Sequence, residues 1–485
     1  MQPLGLTTGI LADDLTGACE TALQFYLAGA NSRIATSGHT LNQIQSPQTE
    51  TSNTVWTVNT ESRHHEPNEV LHEYLTHTVQ TFKHQFGAEQ FYKKMDSTLR
   101  GHIAQECVSL REGLEVDCVL IAPAYPEEGR QTVGGYQLVH SIPVEQSVMN
   151  RDPLSPVTES HIPSILAHTI NPKLIGHIEL KTVLDGAGPI LAELQNLLDA
   201  GKQFIVVDAC SRTDLDQIAL AWVKAQKSMS CLPCGSAGLA QSLCKYWIDE
   251  PSDEQSTTPP HPHNVVPLQH KKDTFQPTPH VLMVAGSTTD TSRSQLSYLL
   301  KQATLTETSV QWVRPQPEEL LGLSTHNSIG PQLTQSLKEG GITVLTTNET
   351  EAHVNQTLSL GEQHQLSDTG IHNRIQQQIK QWVSQAILNN PAHPLTIIAV
   401  GGETALSICQ ALNLHHATIV DRIDTQVPIL KGAYQLPEQT APSTLQFITK
   451  SGDLGDTHLL WHTVRHTYQP TPSKTDPTHG SATPS

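Results

Sequence analysis

"GILADDLTGACETALQF", residues Gly9–Phe25, decides how the chain is read. An apolar run gives way to two adjacent carboxylates and a glycine-bearing turn, and a helix-like pattern follows directly. Strand, polar turn, helix is the grammar of α/β proteins, whose ligands gather at the carboxyl ends of strands. A carboxylate just before a helix complements the dipole and accepts orphan N–H groups, which explains one aspartate. Asp13 and Asp14 are two, pointing in different directions. The second needs another partner: a substrate hydroxyl, a magnesium ion or a basic side chain.

The same grammar recurs along the chain. VDCVLIAPAYP (Val116–Pro126), FIVVDAC (Phe204–Cys210), VLMVAGS (Val281–Ser287) and LTIIAVGG (Leu395–Gly402) are short apolar runs ending in Gly, Pro or Asp. Near-continuous runs of this kind suit parallel strands covered on both faces. Helical patterns follow several turns, in ETALQFYLAG, SRSQLSYLLKQA and ETALSICQALN. The expected fold is α/β with two domains, each a mainly parallel sheet covered by helices, and an active site in the cleft between them. Residues 249–280, rich in Pro, Ser, Thr and His and without periodicity, read as a linker between domains 1–248 and 281–467. Residues 468–485 read as a disordered tail. No internal repeat is found.

Composition narrows the function. A chain of 485 residues with 37% hydrophobic content is expected to form two or three well-filled domains. The formal net charge of −18 argues against a nucleic-acid binder, which needs clustered Lys and Arg. No run approaches the ~18–20 apolar residues of a membrane span. The start of the chain lacks a basic leader and cleavage site, so a cytoplasmic protein without membrane partners is expected. The eight cysteines are scattered, unlike a disulfide framework. CLPC at Cys231–Cys234 reads as small residues in a strand-to-helix turn in preference to a redox or metal pair. The 26 histidines, His64–His65 and His415–His416 included, show no ligand spacing and read as surface or loop residues, so no protein metal site is expected.

The turns carry the chemistry. FYKKMDSTLRGHI (Phe91–Ile103) packs Lys94, Asp96, Ser97, Thr98 and Arg100 into one turn, and Arg100 offers a fork suited to a carboxylate. Ser62 and Arg63 follow another apolar segment, and IAPAYPEEGRQTVGGYQL adds Arg130 with Gly129, Gly134 and Gly135. Together they suggest several strand ends feeding one polar, anion-tolerant cleft. The later half carries glycine turns instead, VAGSTTDTSRSQ, AVGGETALSI and FITKSGDLGD. Glycine lets the backbone approach closely, and free N–H groups at helix starts hold phosphate oxygens. Three such turns imply a nucleotide site. A P-loop sequence, the HRD and DFG kinase set and a full GxGxxG are all missing.

ADDLTGA, Ser62–Arg63, Lys94-x-DSTLRG, APAYPEEGR-x-T-x-GG, RDPLSPVTESHIP, GSAGLA, the later GS, GGETA and KSG-x-x-G occur in this order. Over residues 5–465, linker excluded, the chain closely resembles the four-carbon acid sugar kinase family. The resemblance implies an ATP-dependent kinase acting on the terminal hydroxyl of threonate, erythronate or 3-oxo-tetronate. It implies a nucleotide site at Ser287, Gly401, Gly402, Glu403, Thr404 and Gly452. An acid-sugar site is implied among Asp13, Asp14, Arg63, Lys94, Asp96, Ser97 and Arg100. One of Asp13 and Asp14 is expected to accept the hydroxyl proton, and the other to fix substrate or a magnesium-bound water. Arg63 and Arg100 are expected on the substrate carboxylate, and the glycine turns with Mg²⁺ on ATP. Glu403 has a structural alternative, capping the helix behind Gly402. Gln426 stands where the family carries glycine, and Leu454 where an aromatic is common, which bears on ATP binding. A catalytically silent sugar-acid sensor and a two-domain dehydrogenase remain as alternatives, with homodimer formation left open.

Overall fold

A computed structural model describes residues 7–44, 53–152, 154–247, 275–326, 328–347, 349–390, 394–436 and 441–470. Most of the linker, 249–274, and the tail 471–485 lie outside them. Eighteen strands occur among the described residues. They are β1 (Thr7–Ala12), β2 (Asn31–Ala35), β3 (Thr54–Asn59), β4 (Gln90–Lys94), β5 (Cys118–Ala122), β6 (Arg130–Val133), β7 (Tyr136–Val139), β8 (Ile142–Pro143) and β9 (Ile175–Ile178). The series continues with β10 (Phe204–Val207), β11 (Cys231–Gly235), β12 (His280–Ala285), β13 (Val310–Val313), β14 (Gly341–Thr346), β15 (Leu395–Val400), β16 (His416–Asp424), β17 (Val427–Tyr434) and β18 (Ser443–Lys450).

Fifteen of these strands form one continuous sheet, ordered β13-β14-β12-β15-β18-β17-β16-β2-β3-β1-β4-β11-β5-β10-β9. The four apolar runs read from sequence are the fully buried strands β5, β10, β12 and β15. CLPC belongs to a strand as well: Cys231–Gly235 pairs with β5 along its length, and both cysteines are buried and free. That corrects its reading as a turn, because β11 fills the slot between β4 and β5. β6, β7 and β8 form a small separate sheet.

The two halves are joined by more than covalent chain. β2 pairs antiparallel with β16, and β17 links β16 to β18 by two further antiparallel ladders. The largest apolar core crosses the same seam. It holds Ala12, Leu15, Ala18, Cys19, Ala22 and Leu23 of the first strand and helix beside Ile397, Ile408, Leu430 and Phe447. Thr278 and Tyr468, assigned from sequence to the linker and the tail, are tied by backbone bonds on either side.

Three antiparallel steps leave the parallel strands of the two halves running in opposite senses. A twisted sheet turns by about 20–25° per strand, so the six steps from β1 to β15 turn it well past a right angle. That rotation lets both sets of carboxyl ends reach one cleft.

Candidate active site

Register places the first set of groups. Ala12 pairs with Asn59 and Lys94, and Lys94 pairs with Gly235, so Asp13, Thr60, Met95 and Ser236 leave neighbouring strands at one level. Asp14 has extended backbone and caps the helix Leu15–Leu27, accepting from the Gly17 N–H at 3.1 Å. Thr16 donates to its other oxygen at 2.5 Å. The buried Arg63 spans both aspartates, with Nε and Nη2 each 2.7 Å from Asp13 Oδ2 and Nη2 2.9 Å from Asp14 Oδ1. The two carboxyls diverge electrostatically. Burial pushes Asp13 up against the pull of Arg63 and Lys93. For Asp14 burial is outweighed by Arg63, Lys94 and Thr16, which hold it below its ordinary value.

Gly17 makes room for this crowding: a Cβ there would lie 2.6 Å from Asp14 Oδ1 and 2.8 Å from Lys94 Nζ, so both side chains would have to shift. Asp96 accepts from Thr98 Oγ1 at 2.5 Å and Arg100 Nε at 2.6 Å. Despite burial, Arg100 and Arg63 hold it well below the usual carboxylate range. Arg100 also reaches Asp152 at 3.3 Å. Beneath the cleft, Lys93 and Glu106 form a buried pair at 2.9 Å. The Gly134–Gly135 turn, expected to face an anion, instead points both N–H groups at the Asp208 carboxylate, at 2.7 and 2.9 Å.

The second set is built the same way. Ala285 pairs with Val400, and Val400 with Lys450, so Ser287, Gly401 and Gly452 lie just beyond three adjacent strand ends. Gly401 has φ +112°, a conformation that disfavours any side chain, and its N–H donates to the Lys450 carbonyl at 2.9 Å. Gly452 has no room for a Cβ, which would sit 2.0 Å from Ser287 Oγ. Thr404 Oγ1 crowds Gly286 in turn. These are close-packed turns at the starts of the helices Asp290–Leu305 and Gly402–Ala411.

The two sets meet. Asp14, Arg63, Lys94, Asp96, Ser97 and Arg100 face Gln426, Thr449, Ser451, Asp453 and Leu454 across a polar cleft. Arg130 bridges it, 3.0 Å from Asp453. Gly402 stands directly behind Asp14: a Cβ on it would be 3.3 Å from Asp14 Oδ2. A second pocket adjoins the aspartates, lined by Asp13, His64, Gly402 and Glu403 among others. Glu403 sits in the first turn of its helix and also pairs across the seam with His64 at 3.2 Å. Burial is outweighed by His372, 3.9 Å away, and His64, which hold its carboxyl low. Gln426, the departure from family glycine, donates to Tyr125 Oη at 2.9 Å and Glu128 Oε1 at 2.6 Å. Leu454 lines the cleft and packs into the apolar cluster beside it.

Residues 8–243 match a family described as a sugar-binding N-terminal domain, and residues 282–460 one described as a nucleotide-binding C-terminal domain. A D-erythronate kinase of Heliobacterium modesticaldum is 27% identical over 452 residues, spanning 92% of this chain and 94% of its own. The chain belongs to the four-carbon acid sugar kinase family. A 3-oxo-tetronate kinase of Pectobacterium atrosepticum is 24% identical over 459 residues, covering 92% of this chain and 96% of that one. The fold is shared with a Salmonella typhimurium LT2 protein of known crystal structure, with TM-score 0.73, 19% identity, and 95% and 99% of the two chains covered. As a member of the family the chain is a phosphotransferase with an alcohol acceptor, and its nucleotide-binding half implies use of ATP. Among the described residues no helix is long and apolar enough to cross a membrane.

Glu20 and Asp453 are among the cleft residues that the sequence reading did not single out. Glu20 lines the cleft, and burial pushes its carboxyl up to about 7. Its signal was the polar series Thr16, Glu20, Gln24, spaced four apart on an otherwise apolar helix. Asp453 lay within a motif valued only for its glycines.

Proposed function

We propose that this kinase transfers the γ-phosphoryl group of ATP to the terminal, 4-hydroxyl of a four-carbon sugar acid: threonate, erythronate or 3-oxo-tetronate. One observation carries the reading: the Gly402 turn lies against the Asp14 carboxylate, so the nucleotide turns and the acid-sugar cleft share a boundary.

Phosphoryl transfer asks the protein for positioning and charge compensation more than covalent chemistry. Asp14 binds the terminal hydroxyl and accepts its proton as the bond to phosphorus forms, as a kinase aspartate does. Its low pKa suits a loose transition state in which the proton leaves late. Lys94 and Arg100 hold the substrate carboxylate, with Ser97 on its hydroxyls. Arg63, committed to both aspartates, fixes their orientation and adds its charge to the cleft. Ser287, Gly401, Gly402, Glu403, Thr404 and Gly452 form the nucleotide turns.

Magnesium fits the residues present. Among the described residues no group of three or more His, Cys, Asp or Glu is poised as a complete ligand set. Magnesium, however, takes one or two carboxylates plus phosphates and water. Asp13 Oδ1 is buried without a hydrogen-bond partner and would hold a magnesium-bound water. Bound there, the ion would neutralise charge on the phosphate oxygens.

Asp14→Asn tests the assignment. It should lower kcat by about 10²–10⁴-fold while ATP affinity, read by calorimetry, stays within about threefold. Near-normal turnover would remove Asp14 from the chemistry. A screen of the three acids and their stereoisomers for phosphate transfer tests the substrate class.

A further inference from the structure

Lys450 ends β18, and its side chain is 2% exposed. Its neighbours Thr449 and Ser451 line the polar cleft, so strand alternation turns Lys450 to the other face of the sheet, under the nucleotide turns. There its ammonium has a poor set of partners. Nζ donates to the Gly452 carbonyl at 3.1 Å, but Thr289 Oγ1 and Ser292 Oγ already donate to that oxygen, each at 2.7 Å. A carbonyl has two lone pairs, so Lys450 is a third donor on a filled acceptor. It belongs to no ion pair among the described residues. The carboxylate acting on it is Asp453, which is already paired with Arg130 at 3.0 Å. A buried cation is retained at a cost unless something compensates it.

We propose that Lys450 is the cation that receives the polyphosphate of the nucleotide, a phosphate oxygen supplying the counter-charge it otherwise lacks. This rests on the reading of the glycine turns as the ATP site, and extends it to a residue outside those turns' N–H groups. Burial pulls the free ammonium down to about 7, so the unliganded lysine is largely neutral at pH 8, and an arriving phosphate recharges it.

The test is calorimetry of ATP binding to the full chain without sugar acid, at pH 8, in two buffers of different ionisation enthalpy. The wild-type protein should take up close to one proton per ATP. Relative to a Lys450→Arg variant, its affinity should weaken about fivefold more between pH 7 and 8, as the charged fraction falls. Lys450→Met should weaken ATP about 10–100-fold, as expected for losing a charge-assisted bond, and abolish the proton uptake. Lys450→Arg should bind without uptake. ATP binding by the wild type with no proton uptake overturns the proposal while leaving the nucleotide site standing, and needs no variant to fold. ATP binding by Lys450→Met at wild-type strength does the same. No ATP binding by the wild type overturns the nucleotide site itself, and this proposal with it.

Discussion

Asp13 and Asp14 are neighbours in sequence with opposite electrostatic fates: Arg63, 50 residues from Asp13, pulls both down, but burial outweighs it at Asp13, while Lys94 and Thr16 reinforce it at Asp14. Sequence alone makes Asp14 a helix cap, which it is, and makes a second role necessary. It does not show that the guanidinium expected on substrate spends its donors on the aspartates. That pairing depends on β1 and β3 lying side by side, a long-range fact. Glu20 shows the same limit, since its spacing marks a polar stripe but only packing sets its proton affinity. In the folded protein Glu20 keeps its proton up to about pH 7, against 4.5 ordinarily. Its folded pKa is thus raised, so its contribution to stability is fullest below about pH 4.5 and is lost as pH rises through 7. Glu20→Gln should therefore raise the melting temperature more at pH 8 than at pH 5. An equal gain at both, or a reversed order, would show that Glu20 is ionised throughout this range.

At the scale of elements, the strand-turn-helix units were legible because each carries its own punctuation: an apolar run, a glycine or aspartate, then helical spacing. The seam was not. β2, the first half of β16 and the second half of β17 alternate buried and less buried residues, a weaker signal than the solid runs of β12 or β15, and no local pattern names a partner strand almost 400 residues distant. CLPC was missed for a related reason, since proline inside a strand argues against one. The glycine turns offer a cleaner test of function. Gly452 lacks the positive φ of Gly401, so alanine there is blocked by space and not by backbone. Gly452→Ala must displace Ser287 and should raise the KM for ATP at least about tenfold, a loss on the scale of one good hydrogen bond to a charged group. Binding of the sugar acid alone should be unchanged. Equal damage to both would place the turn outside the nucleotide site.

Over the whole molecule, a sheet that runs through both halves and a core that straddles them predict shared stability. Arg130–Asp453, Gln426 on Tyr125 and Glu128, and Gln24 on the Thr425 carbonyl add polar ties at the same seam. Calorimetry of the unliganded chain should show one cooperative unfolding transition. Two resolved transitions would mean the halves fold as separate units despite the shared core.

Because the β2–β16 ladder unites the halves, the polypeptide crossover between residues 247 and 275 is redundant as a fastening. Severed at that crossover, the molecule would persist as a two-piece complex whose fragments recognise each other edge to edge. A change at the ladder itself, by contrast, would reach the glycine turns of one half and the polar cleft of the other together.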